Sequence, residues 1–239
     1  MEQENKKNDY LLPLAIVIAA LLISGSWIYT AGVKVTDKGT AQAVDALGNQ
    51  PQARGEVAVN PVSQDDHILG NPDAPVKIIE FSDLECPFCK VFQATMNQVM
   101  ADYNGKVAWI FREYPLDQLH SKARIAAEAA ECAAQLGGNE KFWAYIDKYY
   151  ETTPSNNQID ASLIPQIGIN LGLDKTQYTN CINAKTFEKK INDSIADGTK
   201  AGLQGTPYSV IVAKDGTKTV INGAQPYAQV KLLIDAALK

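Results

Sequence analysis

The sequence predicts an α/β domain, because short apolar segments alternate along the chain with longer segments that have the period of a helix. Residues 76–81 are mostly apolar, which indicates a buried strand. Four apolar residues then recur at helical spacing: Phe92, Met96, Val99 and Tyr103. That spacing predicts a helix that begins at Cys86 and packs one face against the strand. A second strand is predicted at residues 107–112.

The remainder of the chain adds a helical block and a pair of strands. Helical periodicity extends over residues 121–201 and breaks at Gly137-Gly138, where we expect one helix to end. Two strands, at 208–213 and 217–222, flank a short turn that contains glycine. A final amphipathic helix follows them. The predicted order is therefore strand, helix, strand, helical block, two strands and a helix.

The N-terminal region differs from this domain in composition. Residues 10–33 carry no charge, and about 24 residues at ~1.5 Å each give about 36 Å of helix, enough to cross a bilayer core. We expect one transmembrane signal-anchor there, after a short tail of residues 1–9. A cleaved signal peptide is the alternative, because small residues follow the apolar run. Residues 34–63 are polar and aperiodic, which predicts a flexible spacer.

Charge gives little information on orientation and argues against nucleic acid as a partner. Two lysines precede the apolar segment and two follow it, so the positive-inside count is a tie. The short N-terminal tail and the cysteine content favour a C-terminal domain outside the plasma membrane, on the periplasmic or extracellular side. The net charge of −5 and the scattered lysines do not form the basic surface that nucleic-acid binding requires.

Four cysteines are present: Cys86, Cys89, Cys132 and Cys181. An even number fits two pairs in an oxidising compartment. A metal site built from all four fits less well, because structural zinc sites usually draw on two closely spaced pairs. Cys132 and Cys181 lie far apart in sequence, so they are either buried thiols or a disulfide between two helices. The oxidising compartment favours the disulfide.

The motif Cys86-Pro87-Phe88-Cys89 carries the most specific chemical signal. Pro87 fits the first position of a helix, where its missing N–H is tolerated. Cys86 then lies beside unpaired N–H groups and the positive end of the helix dipole, which stabilise a reactive thiolate. Cys89, one turn later, is placed to form a disulfide with it. A structural disulfide, half of a metal site or Cu(I) binding by the two thiolates are the alternatives.

Residues 65–89 resemble the opening of DsbA-like proteins of the thioredoxin superfamily. They read Asp-Asp-His-Ile-Leu-Gly-Asn-Pro-Asp-Ala-Pro-Val-Lys-Ile-Ile-Glu-Phe-Ser-Asp-Leu-Glu-Cys-Pro-Phe-Cys. Gly205-Thr206-Pro207 resembles the cis-proline loop of that superfamily. The resemblance implies a thioredoxin-like domain at residues 64–239, with a helical insertion at about 118–203 between the second and third predicted strands.

The resemblance also implies roles for individual residues. Cys86 corresponds to the nucleophilic cysteine, and Cys89 to its buried partner. Pro207 corresponds to the cis-proline that faces them, and Thr206 offers its backbone edge to an extended substrate. Glu80, a charge within an apolar strand, matches a buried acid that assists proton transfer at the resolving cysteine. A solvated strand end is the alternative for Glu80.

The implied activity is thiol–disulfide exchange on exported cysteine-containing proteins, without a prosthetic group or a metal. Oxidation of the substrate is the implied direction, with reoxidation by a membrane partner of the DsbB or VKOR type. A disulfide reductase or isomerase is the alternative, because strongly oxidising DsbA-type proteins often have histidine between the cysteines and Phe88 supplies no positive charge. Some DsbA-like proteins also carry a disulfide within the insertion, which is the pairing expected for Cys132 and Cys181.

The two histidines, His67 and His120, have no metal-ligand spacing. His120 precedes the first helix of the insertion, and we expect it at the surface near that helix start rather than at the active site. Trp143 and the pair Tyr149-Tyr150 are expected to pack the interior of the insertion.

Overall fold

The computed structural model describes residues 57–239 and confirms the α/β class. Its strands are β1 (His67–Gly70), β2 (Val76–Ser82), β3 (Val107–Glu113), β4 (Tyr208–Val212) and β5 (Lys218–Asn222). They form one sheet with the order β1-β3-β2-β4-β5. Strands β2 and β3 run parallel, and the other neighbouring pairs run antiparallel. The sequence pattern did not predict β1, a strand of four residues at the sheet edge.

The helices of the described residues cover the sheet and form the expected insertion. They are α1 (Pro87–Asp102), α2 (Ala123–Thr152), α3 (Leu163–Asn170), α4 (Lys175–Asn183), α5 (Glu188–Lys200) and α6 (Tyr227–Ala237). Helix α1 connects β2 to β3, and α2 to α5 lie between β3 and β4, as the resemblance implied. Helix α2 is interrupted at Gly138, where a φ of 74° departs from helical geometry. The glycine pair therefore divides it, as the sequence predicted.

Alternation along the strands divides the apolar side chains between the two faces of the sheet. On one face, Ile78 and Trp109 pack in the same apolar cluster as residues of α1, α2 and α6. On the other face, Ile79 and Ile110 cluster with apolar side chains of residues 57–62. The end of the predicted spacer is therefore part of the domain, which begins at least seven residues before the expected boundary at residue 64.

Arg112 attaches this N-terminal segment to the sheet and to α5. Its guanidinium donates to both carboxylate oxygens of Asp66 at 2.8 Å and to Asp197 at 2.7 Å. It also donates to the carbonyls of Asn60 and Pro61 at 3.2 Å. These charge-assisted bonds satisfy a buried cation, so the segment is held by defined polar contacts as well as by apolar packing.

The tail, the signal-anchor predicted at residues 10–33 and most of the spacer lie outside the described residues. Between residues 57 and 239, no helix combines the length and the apolar character that crossing a bilayer requires. The anchor therefore stays a prediction from the sequence.

A disulfide joins Cys132 of α2 to Cys181 of α4, with 5.9 Å between the two Cα atoms. This is the pairing expected from the sequence. The same two helices are joined by a hydrogen bond from the Tyr178 hydroxyl to the carbonyl of Ala129 at 2.8 Å. The disulfide therefore links two helices of the insertion that already pack together.

Replacing Cys132 and Cys181 together by alanine should lower the free energy of unfolding by about 2–4 kcal/mol, because the bond restricts the unfolded chain. It closes a loop with a sequence separation of 49 residues. Urea unfolding of the oxidised wild type and of the double variant measures the difference. Cys86 and Cys89 are kept as free thiols in both proteins, and wild type that is also reduced at Cys132 and Cys181 should approach the stability of the variant. A variant as stable as the oxidised wild type would contradict the structural role.

Candidate active site

Cys86 and Cys89 lie where β2 ends and α1 begins. Cys86 is the N-cap residue of α1, with an extended backbone (φ −76°, ψ 122°), and Pro87 takes the first helical position. The two cysteines are free thiols, and they are 4% and 1% exposed. Phe88 between them is 63% exposed. The motif therefore presents an apolar ring at the surface next to the less buried of the two sulphur atoms.

The two thiols of the motif have opposite acidities. A hydrogen bond from the Cys89 thiol, with further bonds from the backbone N–H groups of Cys89 and Phe88, lowers the pKa of Cys86 to about 6 against the effect of burial. Burial raises the pKa of Cys89 well above its ordinary value, and the neighbouring charges of Cys86 and Glu80 add to that increase. At neutral pH the first thiol is therefore mostly a thiolate, and the second is protonated.

The loop before β4 faces the motif. The Thr206-Pro207 peptide bond is cis, as the resemblance implied. In its protonated form the Cys86 thiol donates to the carbonyl oxygen of Thr206 at 3.4 Å, across 120 residues of sequence. Thr206 is itself buried. The structure thus brings together the nucleophilic cysteine and the proline loop that the sequence singled out separately.

Glu80 is a buried acid, and the alternative of a solvated strand end is wrong. Its side chain lies on the sheet face that carries the motif, and its Oε2 accepts from the indole of Trp109 at 2.8 Å. Burial raises the pKa of Glu80 to about 7. Next along the same strand, the Ser82 hydroxyl lies 3.2 Å from the hydroxyl of Tyr150. With this pKa, Glu80 is partly protonated at neutral pH. Its charge also raises the pKa of the Cys89 thiol.

Asp83, in the loop between β2 and α1, contacts both cysteines through its backbone. Its N–H donates to the Cys89 sulphur at 3.4 Å. Its carbonyl oxygen accepts from the backbone N–H of Cys86 at 3.0 Å. The motif is therefore held in place by the residue that precedes it by three positions. No local sequence pattern predicts this role of Asp83.

The carboxylate of Asp83 contacts three further polar groups. One oxygen accepts from the backbone N–H of Glu85 at 2.7 Å. The other accepts from the N–H of Leu116 and lies 2.8 Å from Nδ1 of His120. His120 is only 6% exposed, so the expectation of a surface histidine away from the site is wrong. The chain between β3 and α2 folds back onto the loop that carries the motif.

Glu85, the residue directly before Cys86, joins the motif to the insertion. Its carboxylate accepts from the hydroxyls of Tyr149 at 2.6 Å and Thr153 at 2.8 Å, and from the N–H of Asn157 at 2.5 Å. Tyr149 was expected only to pack the interior of the insertion. Its hydroxyl also donates to Glu85, directly before the motif. The available signal was the presence of two acids, Asp83 and Glu85, within the three residues before Cys86, because buried carboxylates require partners.

Glu113, at the end of β3, is a further buried acid of the same sheet face. It pairs in register with Ser82 of β2. Neither of its carboxyl oxygens has a hydrogen-bond partner within the described residues. Burial raises the pKa of Glu113 well above its ordinary value, and the nearby charges of Glu131 and Asp83 add to this. Burial thus favours the uncharged form of Glu113.

The geometry supports dithiol chemistry at one pair of cysteines. The other pair is consumed in the disulfide between α2 and α4, so a site of all four cysteines is excluded. Among residues 57–239 no group of three or more His, Cys, Asp and Glu side chains is arranged to hold a metal ion. What the site contains is an ionised thiol, a protonated thiol one turn later and a buried acid of intermediate pKa.

Known proteins with similar sequences and structures share this arrangement of elements. Disulfide bond formation protein D of Bacillus subtilis is 27% identical over 207 residues, which are 84% of this chain and 85% of that protein. The structure of oxidised BdbD from Bacillus subtilis superposes with a TM-score of 0.66 at 25% identity, over 76% of this chain and 97% of that one.

A second group of relatives is much longer than this chain. The Na(+)/H(+) antiporter NhaA 1 of Mycolicibacterium gilvum is 27% identical over 167 residues. These are 69% of this chain and 26% of the antiporter, so the chain matches about a quarter of that protein. The match with the Thioredoxin family runs from residue 62 to residue 236, which is more than half of the chain, and the protein therefore belongs to that family.

Proposed function

We propose that this protein is a thiol–disulfide oxidoreductase that introduces disulfides into exported proteins. One observation carries the proposal: two free cysteines lie one helical turn apart at the start of α1, with Cys86 as the N-cap residue facing the cis-proline loop and Cys89 buried beneath it. An exchange catalyst needs one accessible sulphur that reacts and one protected sulphur that resolves. The similarity to Disulfide bond formation protein D supports the same kind of activity.

The reaction begins from the Cys86–Cys89 disulfide. A substrate thiolate attacks the Cys86 sulphur, a new sulphur–sulphur bond forms, and the bond between the two cysteines breaks with Cys89 as the leaving thiolate. A second thiolate of the substrate then attacks the substrate sulphur of this mixed disulfide. Cys86 leaves as a thiolate, which its low pKa favours. Two electrons pass from the substrate to the protein, which ends as a dithiol.

Glu80 supplies the proton that the first step requires. The departing Cys89 thiolate is buried, and its raised pKa means that it cannot persist as an anion. Glu80 has a pKa of about 7 and is the acid of the same buried face whose charge acts on Cys89. Its protonated form gives up the proton as Cys89 leaves, and reoxidation of the dithiol returns the proton to it.

The cis-proline loop positions the substrate. Pro207 has no N–H to donate, and the preceding residue Thr206 lies within hydrogen-bond distance of the Cys86 sulphur. An extended substrate segment that pairs with the backbone edge of this loop brings its own cysteine to Cys86. The exposed Phe88 ring offers an apolar surface beside that segment.

Placement on the extracytoplasmic side of the plasma membrane is part of the proposal. The disulfide between Cys132 and Cys181 fits an oxidising compartment, and the uncharged residues 10–33 are long enough for a single anchor. A membrane partner of the DsbB or VKOR type would then reoxidise the dithiol. Protease added to cells with an intact plasma membrane should digest the C-terminal domain, and protection of that domain would refute this placement.

Two variants test the exchange reaction directly. Cys86→Ser should abolish the oxidation of a peptide that contains two thiols, because Cys89 alone cannot form the disulfide that the substrate attacks. Cys89→Ser is instead mixed with a peptide joined by a disulfide to glutathione. Its Cys86 thiolate attacks that disulfide, one thiolate leaves, and the mixed disulfide at Cys86 should persist because the resolving thiol is missing. Mass spectrometry detects the adduct, and Cys132→Ala/Cys181→Ala is the matched control that should retain full exchange. Equal activity of Cys86→Ser and wild type would refute the proposal.

The reduction potential of the Cys86–Cys89 pair decides the direction. An oxidase should have a potential above about −180 mV, because a stabilised thiolate favours the reduced form. Equilibration with glutathione buffers, followed by mass analysis of the two forms, measures it. A value near roughly −270 mV, similar to that of thioredoxin, would support the reductase or isomerase alternative instead.

Glu80→Gln should slow the first half-reaction by at least roughly tenfold at or below pH 7, since general acid catalysis is worth about that or more. With a pKa of about 7, Glu80 is protonated below that pH and loses its donor proton above it. The ratio of wild-type to variant rates should therefore be largest in acid and approach one in base. Stopped-flow measurements with a dithiol peptide give this ratio at each pH.

Glu113→Gln is the matched control for this experiment. Glu113 is a second buried acid on the same sheet face, at the end of the neighbouring strand β3, and burial raises its pKa as well. Its replacement should leave the pH profile unchanged. A profile of Glu80→Gln that parallels the wild type at every pH would show that Glu80 is not the donor.

A further inference from the structure

We propose that His120, held by Asp83, provides as an imidazolium the positive charge that the Pro87-Phe88 dipeptide lacks, and so stabilises the Cys86 thiolate. The inference rests on the proposed function and deepens it, because the stability of this thiolate sets how strongly the dithiol oxidises its substrates. His120 does not react with the substrate. It is a positioning residue that acts on the reacting sulphur through its charge.

The position of His120 is determined by hydrogen bonds at its side chain and its backbone. Nδ1 lies 2.8 Å from the Asp83 carboxylate, which also accepts from the N–H of Leu116 at 2.8 Å. The N–H of His120 donates to the Leu116 carbonyl at 2.8 Å, and its own carbonyl accepts from Ala123 at 3.0 Å. A buried ring with a carboxylate at Nδ1 has one orientation, so its charge is fixed in place.

Asp83 places this charge next to the motif. The same residue donates its N–H to the Cys89 sulphur and accepts from the Cys86 N–H, so its carboxylate belongs to the loop that holds both cysteines. Unbalanced, that carboxylate would repel the Cys86 thiolate. The imidazolium offsets it and adds an attraction of its own, which is the arrangement expected of a site built to favour a thiolate.

The electrostatic interaction between His120 and Cys86 is mutual. The Asp83 carboxylate, helped by the negative charge of Cys86, raises the pKa of His120 above its ordinary value although burial opposes this. The side chain of Asn156 faces the ring as well. The carboxylate of Glu85 is occupied by three donors from the insertion. Hydrogen bonds at the Cys86 sulphur, the first of them from the Cys89 thiol, lower the pKa of Cys86. Because an electrostatic interaction acts on both partners, the negative charge of Cys86 that raises the pKa of His120 implies that a charged His120 stabilises the thiolate in turn.

His67 provides an internal control of the same chemical type. It is the second histidine of the chain and is also buried against a carboxylate, with Nε2 2.9 Å from Glu131. Lys190 and the stacked ring of Phe142 are its other neighbours. It lies on β1, which is separated from β2 by β3. A change at the motif should reach His120 and leave His67 unaffected.

The first experiment needs no substitution. NMR titration of the two imidazole rings is carried out on the wild-type protein with the motif as a disulfide and as a dithiol. Only the dithiol form carries the thiolate, so by linkage the proton affinity of His120 should be at least about threefold higher in it, given the expected strength of such an interaction. The affinity of His67 should be the same in both forms. Equal shifts of both histidines, or of neither, would overturn the inference.

The second experiment compares His120→Gln with His67→Gln. The ultraviolet absorbance of the thiolate gives the pKa of Cys86, and equilibration with glutathione gives the redox equilibrium constant. His120→Gln should raise the pKa of Cys86 and make the dithiol about three- to tenfold less oxidising, within the range expected for one nearby charge. His67→Gln should change neither quantity. A His120→Gln variant that matches His67→Gln in both would refute the role, and circular dichroism confirms that both fold.

Failure of this inference is distinguishable from failure of the proposed function. If wild-type protein does not exchange disulfides with glutathione or with a dithiol peptide, the proposed function is wrong. If it exchanges them and the two histidines behave alike in both experiments, only the role of His120 is wrong.

Discussion

The hydrogen bonds of Asp83 are the constraint on which the rest of the site depends. Its backbone contacts both cysteines, and its carboxylate binds the start of the insertion through Leu116 and His120. One residue thereby joins the end of β2, the first turn of α1 and the segment that leads into α2. The carboxylate of Asp83 is buried, so its hydrogen bonds replace those that it would make with water. Separating any of the three parts would leave a buried polar group without a partner, which costs free energy.

The insertion completes the active site as well as covering the sheet. Glu85 receives three donors from residues 149–157, directly before Cys86. The disulfide of Cys132 and Cys181 joins α2 to α4 and stabilises the insertion against unfolding. The insertion and the motif are thus joined through the buried carboxylate of Glu85. A thioredoxin-like domain without the insertion would lack these hydrogen bonds to the residue before Cys86.

Local patterns were sufficient to predict the sheet strands β2 to β5, the motif at a helix start and the break near Gly138. Each depends on residues adjacent in sequence, whose periodicity or backbone preference acts locally. His120 and Tyr149 were assigned wrongly or incompletely because their partners lie 37 and 64 residues away. A buried polar residue is placed by whichever partner the fold supplies, and no local pattern contains that partner. β1 was missed for a similar reason, since four residues carry little periodicity.

The asymmetry between the two cysteines follows from the position of each one on α1. Cys86 is the N-cap residue, and its thiolate is stabilised first by the Cys89 thiol and then by N–H groups of the first turn. Cys89 lies one turn further, against the sheet, where burial and Glu80 oppose ionisation. Which sulphur reacts is therefore decided by where each cysteine lies on α1. His120, buried beside the loop, changes how stable the Cys86 thiolate is without exchanging the roles of the two cysteines. Substitution of His120 should therefore shift the direction of exchange and leave the attacked sulphur the same.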